Sequence, residues 1–477
     1  MRRSETMTMP REFVVIETRT TMSIRRLQWI VAMLVERAVL TSFVVAFLVR
    51  LLAAVAINVF HEGVLIPDEG QYLILALVAS EGELTADFWD GYGQSLFDST
   101  RAFMWPLTAL FWLFGPSRFL AQLLPVFFGA VTAAATTLIA RRFLQRPFDL
   151  IAGLIVALFP SQILWSSVVL RESLVWAGLA GIAVLVGYSY QQRSVARIVG
   201  SALLAGFLFI GLAWLRDHTA ALALWCLFPA FLVGQGWRSV RVISALCVLV
   251  FAPWFVGMGP VGTTFAGKAL GNLGTSRCYM SMEADSSYGD CQDELELSDC
   301  LSWLEKETGE WHEISSTAGR LLDRHTGDWA CAPVGDSKAL LIDNTLGSAL
   351  EIVPRGLFNT MVRPLPGEAR AGSNVSFAGV ESVLWVTLYG LSAYGVWKNR
   401  KNIGETVFLL LIVGVVSLTG AVTHGNLGTA FRHRGQLLFA FAILAAAGLK
   451  AMVDRRNNRQ DRGEPVDQVD LGFGPGV

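Results

Sequence analysis

Four short strings hold most of the side chains able to do chemistry. HEGVLIPDEGQY sets Asp68 and Glu69 side by side a few residues beyond a long apolar run. A carboxylate at the edge of apolar surface can act as a general base when its surroundings suit its pKa to the task. FPSQILWSSVVLRESLVW places Arg171 against Glu172 where an apolar run begins, and LAWLRDHTA carries Arg216, Asp217 and His218 where another ends. THGNLGTAFRHRGQ brings His424, Asn426, Arg432, His433 and Arg434 together. Two guanidiniums and an imidazole within three residues suit a phosphate at headgroup depth. The same residues also suit anchoring among lipid headgroups. Most loop carboxylates are simply solvated, and Asp87 and Asp90 of ADFWDGYG read that way. No G-x-x-x-x-G-K-[ST], G-x-G-x-x-G or H-E-x-x-H string occurs, so ATP-driven transport and zinc proteolysis lack their signatures.

The elements that must position these strings are apolar helices. Of 477 residues, 53% are hydrophobic and only 16% charged, with a mean hydropathy of +0.48. The apolar residues form long runs between short charged joints, which excludes a soluble enzyme, a disordered chain and a fibrous repeat. A net charge of −1 gives no basic footprint for nucleic acid. The sequence therefore predicts an all-α polytopic membrane protein. Each span needs about 20 apolar residues, and about ten are expected. They fall near 38–60, 119–140, 148–168, 173–190, 198–215, 219–235, 242–259, 379–396, 405–422 and 436–452. Residues 103–115 are too short to span and contain Pro106, so they read as a juxtamembrane or re-entrant helix in the first outer loop. Arg50 falls within the first span, where a charge is costly unless it snorkels or pairs.

Lys and Arg near the span ends set the orientation. Arg37, Arg141–Arg142, Arg193, Arg238, Lys398 and Lys450 with their basic neighbours fall on one side when both termini are cytoplasmic. The expected organisation is a cytoplasmic segment 1–37, then an N-terminal transmembrane catalytic module 38–259 that includes the outer loop 61–102. A large outer loop 260–378, C-terminal spans within 379–452 and a disordered cytoplasmic tail 453–477 follow. The large loop holds four of the six cysteines, Cys278, Cys291, Cys300 and Cys331. On an oxidising face these suggest two disulfides, with three connectivities open. Their spacing matches no zinc finger.

In order and topology, these pieces resemble the GT-C superfamily of integral-membrane glycosyltransferases, and within it the bacterial branch of protein O-mannosyltransferases and aminoarabinose transferases. The resemblance is carried by Asp68-Glu69-x-x-Tyr72, Trp105-Pro106-Leu107 with Phe114-Gly115-Pro116-Ser117, Ala140 to Leu144, Pro160-Ser161, Glu172, and Asn426 to Arg434. It covers about residues 38–235 and 423–450 and is poor over the cysteine-bearing loop. The resemblance implies transfer of a sugar from a polyprenyl-phosphate carrier on the extracytoplasmic face, with inversion at the anomeric carbon. It implies that Asp68 is the catalytic base. Glu69, Tyr72, Arg171, Glu172, Arg216, His218, Arg432, His433 and Arg434 are then expected to contact substrate. The acceptor is a glycan, a lipid or a protein. Metal dependence varies across the superfamily, so no metal ligand is assigned and a divalent cation remains open. A polysaccharide polymerase or ligase using a lipid-diphosphate donor is an alternative, as is a lipid or solute transporter. Transporters place ionisable groups near the midplane, whereas here only Arg50 lies there. The Arg-rich joints point to a bacterial inner membrane.

Overall fold

The computed structural model describes residues 33–61, 63–89, 92–189, 195–216, parts of 219–226, 321–322, 329–330, 346–366, 376–423 and 427–461. Within them the regular structure is helical apart from two dipeptide strands, β1 (Leu321–Leu322) and β2 (Trp329–Ala330), which pair antiparallel. The N-terminal part consists of α1 (Ala38–Phe60), α2 (Pro67–Ser80), α3 (Tyr92–Ser99), α4 (Arg101–Phe114) and α5 (Arg118–Ala140). It continues through α6 (Phe148–Leu158), α7 (Pro160–Trp165), α8 (Glu172–Ser189) and α9 (Val195–Ala213). The C-terminal part comprises α10 (Leu346–Met361), α11 (Ser376–Lys398), α12 (Ile403–Thr423), α13 (Leu427–Arg434) and α14 (Leu438–Asp461).

Three stretches among the described residues are long and apolar enough to cross a membrane: Ala38–Phe60, Arg118–Ala140 and Phe431–Gln460. The helices Phe148–Leu158, Glu172–Tyr188, Leu203–Ala213 and Thr406–Ala421 are shorter but apolar. The expected spans 242–259 and most of 219–235 lie outside the described residues, as do Cys278, Cys291, Cys300 and Cys331.

Packing is inside-out relative to a soluble helix. On α1 the buried stripe is Ala38, Ser42, Ala46, Arg50 and Ala54, one residue every helical turn, while Leu40, Leu48 and Leu52 face outward. Lipid tails are as apolar as leucine, so close backbone approach and hydrogen bonds hold such helices together. Thr137 on α5 donates to Ser42 at 2.8 Å. At the α11–α14 crossing, a Cβ on Gly395 would collide with the carbonyl of Leu444, and one on Gly448 with that of Leu391. Glycine is required at both positions because two backbones meet there.

The structure departs from the sequence expectation in two places. Residues 148–168 do not form one continuous span; the helix stops at Leu158 and restarts at Pro160 as α7. Proline lacks the amide that the α6 carbonyls need and its ring clashes with the preceding turn. Finally, α14 continues to Asp461, past the expected start of a disordered tail at 453. The short apolar segment near 103–115 is a helix as expected, with Pro106 inside it.

Candidate active site at the helix ends

Asp68 and Glu69 occupy the first turn of α2, behind an extended Ile66 and a proline at the first helical positions. Proline is preset for that position and acids there oppose the positive end of the helix dipole. Consecutive helical residues diverge by about 100°, and here the two acids part company. Glu69 is fully buried. Its Oε1 accepts from Arg118 Nε at 3.0 Å and from the Val169 amide at 3.3 Å. Its Oε2 accepts from Arg118 Nη2 at 2.9 Å and from the Leu65 amide at 3.0 Å. Arg118 also donates to the Gly63 carbonyl. All of these partners are protein groups, so Glu69 is a strut joining the starts of α2 and α5 to the turn before α8.

Asp68 faces the other way, with its side chain 43% exposed. Arg432 Nη1 of α13 donates to its Oδ2 at 2.7 Å. Arg432 Nε lies 3.2 Å from Glu172 Oε1, near enough for charge pairing but without hydrogen-bond alignment. Arg216 Nη2 donates to the same Glu172 oxygen at 3.0 Å. The result is an unbroken ionic chain, Asp68–Arg432–Glu172–Arg216, built from four segments remote in sequence. Arg171 adjoins it, its Nη1 donating to the Leu215 carbonyl at 2.8 Å. Among the described residues, three guanidiniums thus face two carboxylates, one positive charge in excess.

Among the described residues, several polar atoms of this ionic chain have no protein partner. Arg216 Nε and Nη1 are buried and unpaired, as is Glu172 Oε2. A buried, unmade hydrogen bond costs about 1–3 kcal/mol, more for a charged group, so these atoms are suited to a polar ligand. Burial, followed by the neighbouring charge of Arg171, pulls the Arg216 guanidinium down to about 10, which still leaves it cationic at neutral pH. Tyr72 is one turn further along α2, 5% exposed, with its ring edge-to-face on Phe103 of α4 at 5.2 Å. Burial pushes its phenol above the ordinary 10.0, with the charge of Arg171 opposing the shift.

Of the expected site residues, Asp68, Glu172, Arg216, Arg432, Arg171 and Tyr72 come together. Arg434 does not join them. Residues two apart on a helix diverge by about 200°. Accordingly Arg434 turns away from Arg432 into the protein, stacked over Trp385 at 4.9 Å and Phe431 at 5.0 Å. It donates to the Met361 carbonyl at 2.7 Å and to that of Arg363 at 3.4 Å. His433 lies between them on α13, and His218 lies outside the described residues. Arg118 was not singled out from sequence, although an arginine opening an apolar run that is expected to start on the outer side goes against the positive-inside trend.

Asp217, His218 and His424 lie outside the described residues. Asp68 and Glu172 each face a guanidinium, and among the described residues no group of three His, Cys, Asp or Glu side chains gathers.

No family model matches the chain, and no curated protein matches it. Among solved structures it is similar to the archaeal oligosaccharyltransferase AglB from Archaeoglobus fulgidus, determined in complex with an inhibitory peptide and a dolichol-phosphate. The identity is 12% and the TM-score 0.47, over 91% of this chain and 53% of that one. The chain thus spans about half the length of that protein, and a likeness this slight transfers no residue role.

Proposed function

We propose that the protein is an integral-membrane glycosyltransferase of the GT-C type. It transfers a sugar from a polyprenyl-phosphate carrier to an acceptor hydroxyl on the extracytoplasmic face of a bacterial inner membrane. The observation that carries this reading is the ionic chain Asp68–Arg432–Glu172–Arg216, with its unpartnered buried donors on Arg216. It joins an accessible carboxylate to a surplus of guanidinium charge, which are the two groups that displacement at a glycosyl phosphate requires.

In this reading Asp68 takes the proton of the acceptor hydroxyl as its oxygen bonds to the anomeric carbon. The bond from that carbon to the phosphate oxygen breaks, and the polyprenyl phosphate leaves with the electron pair and one more negative charge than it had as a diester. Arg432 and Arg216 neutralise that developing charge; donors held in place before reaction act without reorganisation cost. Glu172 holds both guanidiniums at one point. Attack from the face opposite the leaving phosphate inverts the anomeric centre. The acceptor is a glycan, lipid or protein hydroxyl, and membrane lipid surrounds the carrier's prenyl chain.

The test uses purified protein in lipid nanodiscs with radiolabelled polyprenyl-phosphate hexoses and pentoses and membrane-derived acceptors. Asp68→Asn keeps the shape and loses the base, and the expected loss in transfer is about 10²- to 10⁴-fold. Wild-type transfer by a folded Asp68→Asn protein, or no transfer from any of these carriers by the wild type, would overturn the reading.

A further inference from the structure

We propose that Arg50 and Glu381 are positioning residues. Together they hold the interrupted helix α6–α7 open and so set the spacing of Glu172 and Arg432; the role in transfer rests on the site reading given above.

Arg50 is wholly buried at mid-length of α1, where an unpartnered charge would be costly. Its Nη2 donates to the Val156 carbonyl at 3.0 Å and its Nη1 to the Ala157 carbonyl at 2.8 Å. Nη1 also reaches the Ala46 carbonyl at 3.2 Å, and Nε the Ser166 hydroxyl at 2.8 Å. In an unbroken helix the carbonyls of Val156 and Ala157 would accept from the amides of residues 160 and 161. Residue 160 is a proline and has no amide hydrogen. The Ser161 amide has turned to Glu381 Oε2 at 2.7 Å, and its hydroxyl to Glu381 Oε1 at 2.7 Å. Trp385 Nε1 donates to the same oxygen at 2.8 Å. The two side chains therefore satisfy opposite sides of one break: the guanidinium takes the freed carbonyls, and the carboxyl takes the freed amide. They come from α1 and α11, and neither pairs with the other.

The surrounding residues are shaped to this arrangement. A Cβ on Gly129 of α5 would stand 2.6 Å from Arg50 Nε and 2.9 Å from Ser166 Cβ, so glycine makes the room the guanidinium occupies. Ser167 donates back to the Arg50 carbonyl at 3.0 Å.

Beyond the break, the segment from α7 to α8 touches the chain beside each member of the ionic site. Gln162 Nε2 donates to the Gly435 carbonyl at 2.9 Å, three residues past Arg432. The Val169 amide reaches Glu69, next to Asp68. The segment ends at Glu172 itself. A continuous helix would keep running along the α6 axis and could not make these contacts. Holding the break therefore fixes where the acid and the arginine meet.

The test compares Arg50→Met, Arg50→Lys and Glu381→Gln with wild type in nanodiscs, with hydrogen exchange by mass spectrometry alongside transfer kinetics. Exchange over 156–171 is expected to rise in Arg50→Met and Glu381→Gln, with α5 and α14 unchanged. Arg50→Lys is expected to fall between, because one ammonium cannot fork across two carbonyls and a hydroxyl. In the same variants kcat is expected to fall about ten-fold or more, with donor KM within about three-fold, since small misplacement of reacting groups weighs on the chemical step. Unchanged exchange over 156–171 in both Arg50→Met and Glu381→Gln would overturn the clamp, whatever transfer shows. Raised exchange in every helix, or raised local exchange with wild-type kcat, would overturn the positioning role. A wild type that transfers nothing counts against the proposed function and the positioning role together, while exchange still decides the clamp.

Discussion

Replacing Glu69 by glutamine keeps the shape of a fully buried side chain and removes its charge. Each Glu69 oxygen now accepts two hydrogen bonds, one from Arg118 and one from a backbone amide. A glutamine NH₂ in either place would point a donor at two donors. At the 2.9 Å separation of the ion pair, the gross attraction is about 6 kcal/mol at an effective dielectric of about 20. Desolvating the buried carboxylate offsets most of that, so the pair as a whole contributes little net stability. Removing one partner is different, because the other stays behind uncompensated, at a cost of about 3–5 kcal/mol. Arg118 is 16% exposed and water can reach it in part, which puts Glu69→Gln at the lower end, near 3 kcal/mol. Arg118→Met strands Glu69 at full burial and belongs at the upper end. The double variant leaves no stranded charge, so it should be more stable than additivity predicts by about 2 kcal/mol. Equilibrium unfolding in mixed micelles, run as a double-mutant cycle, measures this coupling. Additivity within about 0.5 kcal/mol would refute the strut, as would a Glu69→Gln protein that unfolds with the wild type while losing transfer. The latter is the behaviour of a substrate ligand.

Two further outcomes follow from packing and burial. The Tyr72 phenol is raised by burial, so its contribution to stability is complete below the ordinary value near pH 10 and is lost as pH rises through the raised one. Tyr72→Phe should therefore unfold at a higher alkaline pH than wild type, read by tryptophan fluorescence; equal alkaline midpoints would contradict it. Gly448→Ala forces a Cβ against the Leu391 carbonyl where α11 crosses α14. Overpacking of this kind costs about 1–3 kcal/mol, which should also weaken the Ser392 bond to the Phe441 carbonyl across the same crossing. A thermal midpoint in detergent equal to that of wild type would show that the helices separate freely.

The amino-acid pattern by itself determined that this chain is built of apolar helices, because backbone groups in lipid must be satisfied within the segment. It also marked the strings at 68, 172, 216 and 432, since charges beside apolar runs are rare enough to be conspicuous. Pro160 lies within the expected span 148–168, and Arg50 announced a need for partners. What those partners were lay beyond the pattern: two carbonyls freed by that same proline, with a glutamate from α11 on the far side. Reading Arg432 and Arg434 as a pair took nearness in sequence for nearness in space, but residues two apart on a helix face opposite ways. The same helical turn separates Asp68, accessible, from Glu69, enclosed by Arg118. The meeting of Asp68 with Arg432, 364 residues apart, was decided only by the tertiary structure. An ion pair records nothing in either local sequence about its partner; it arises where packed helix ends bring two charges within reach of each other.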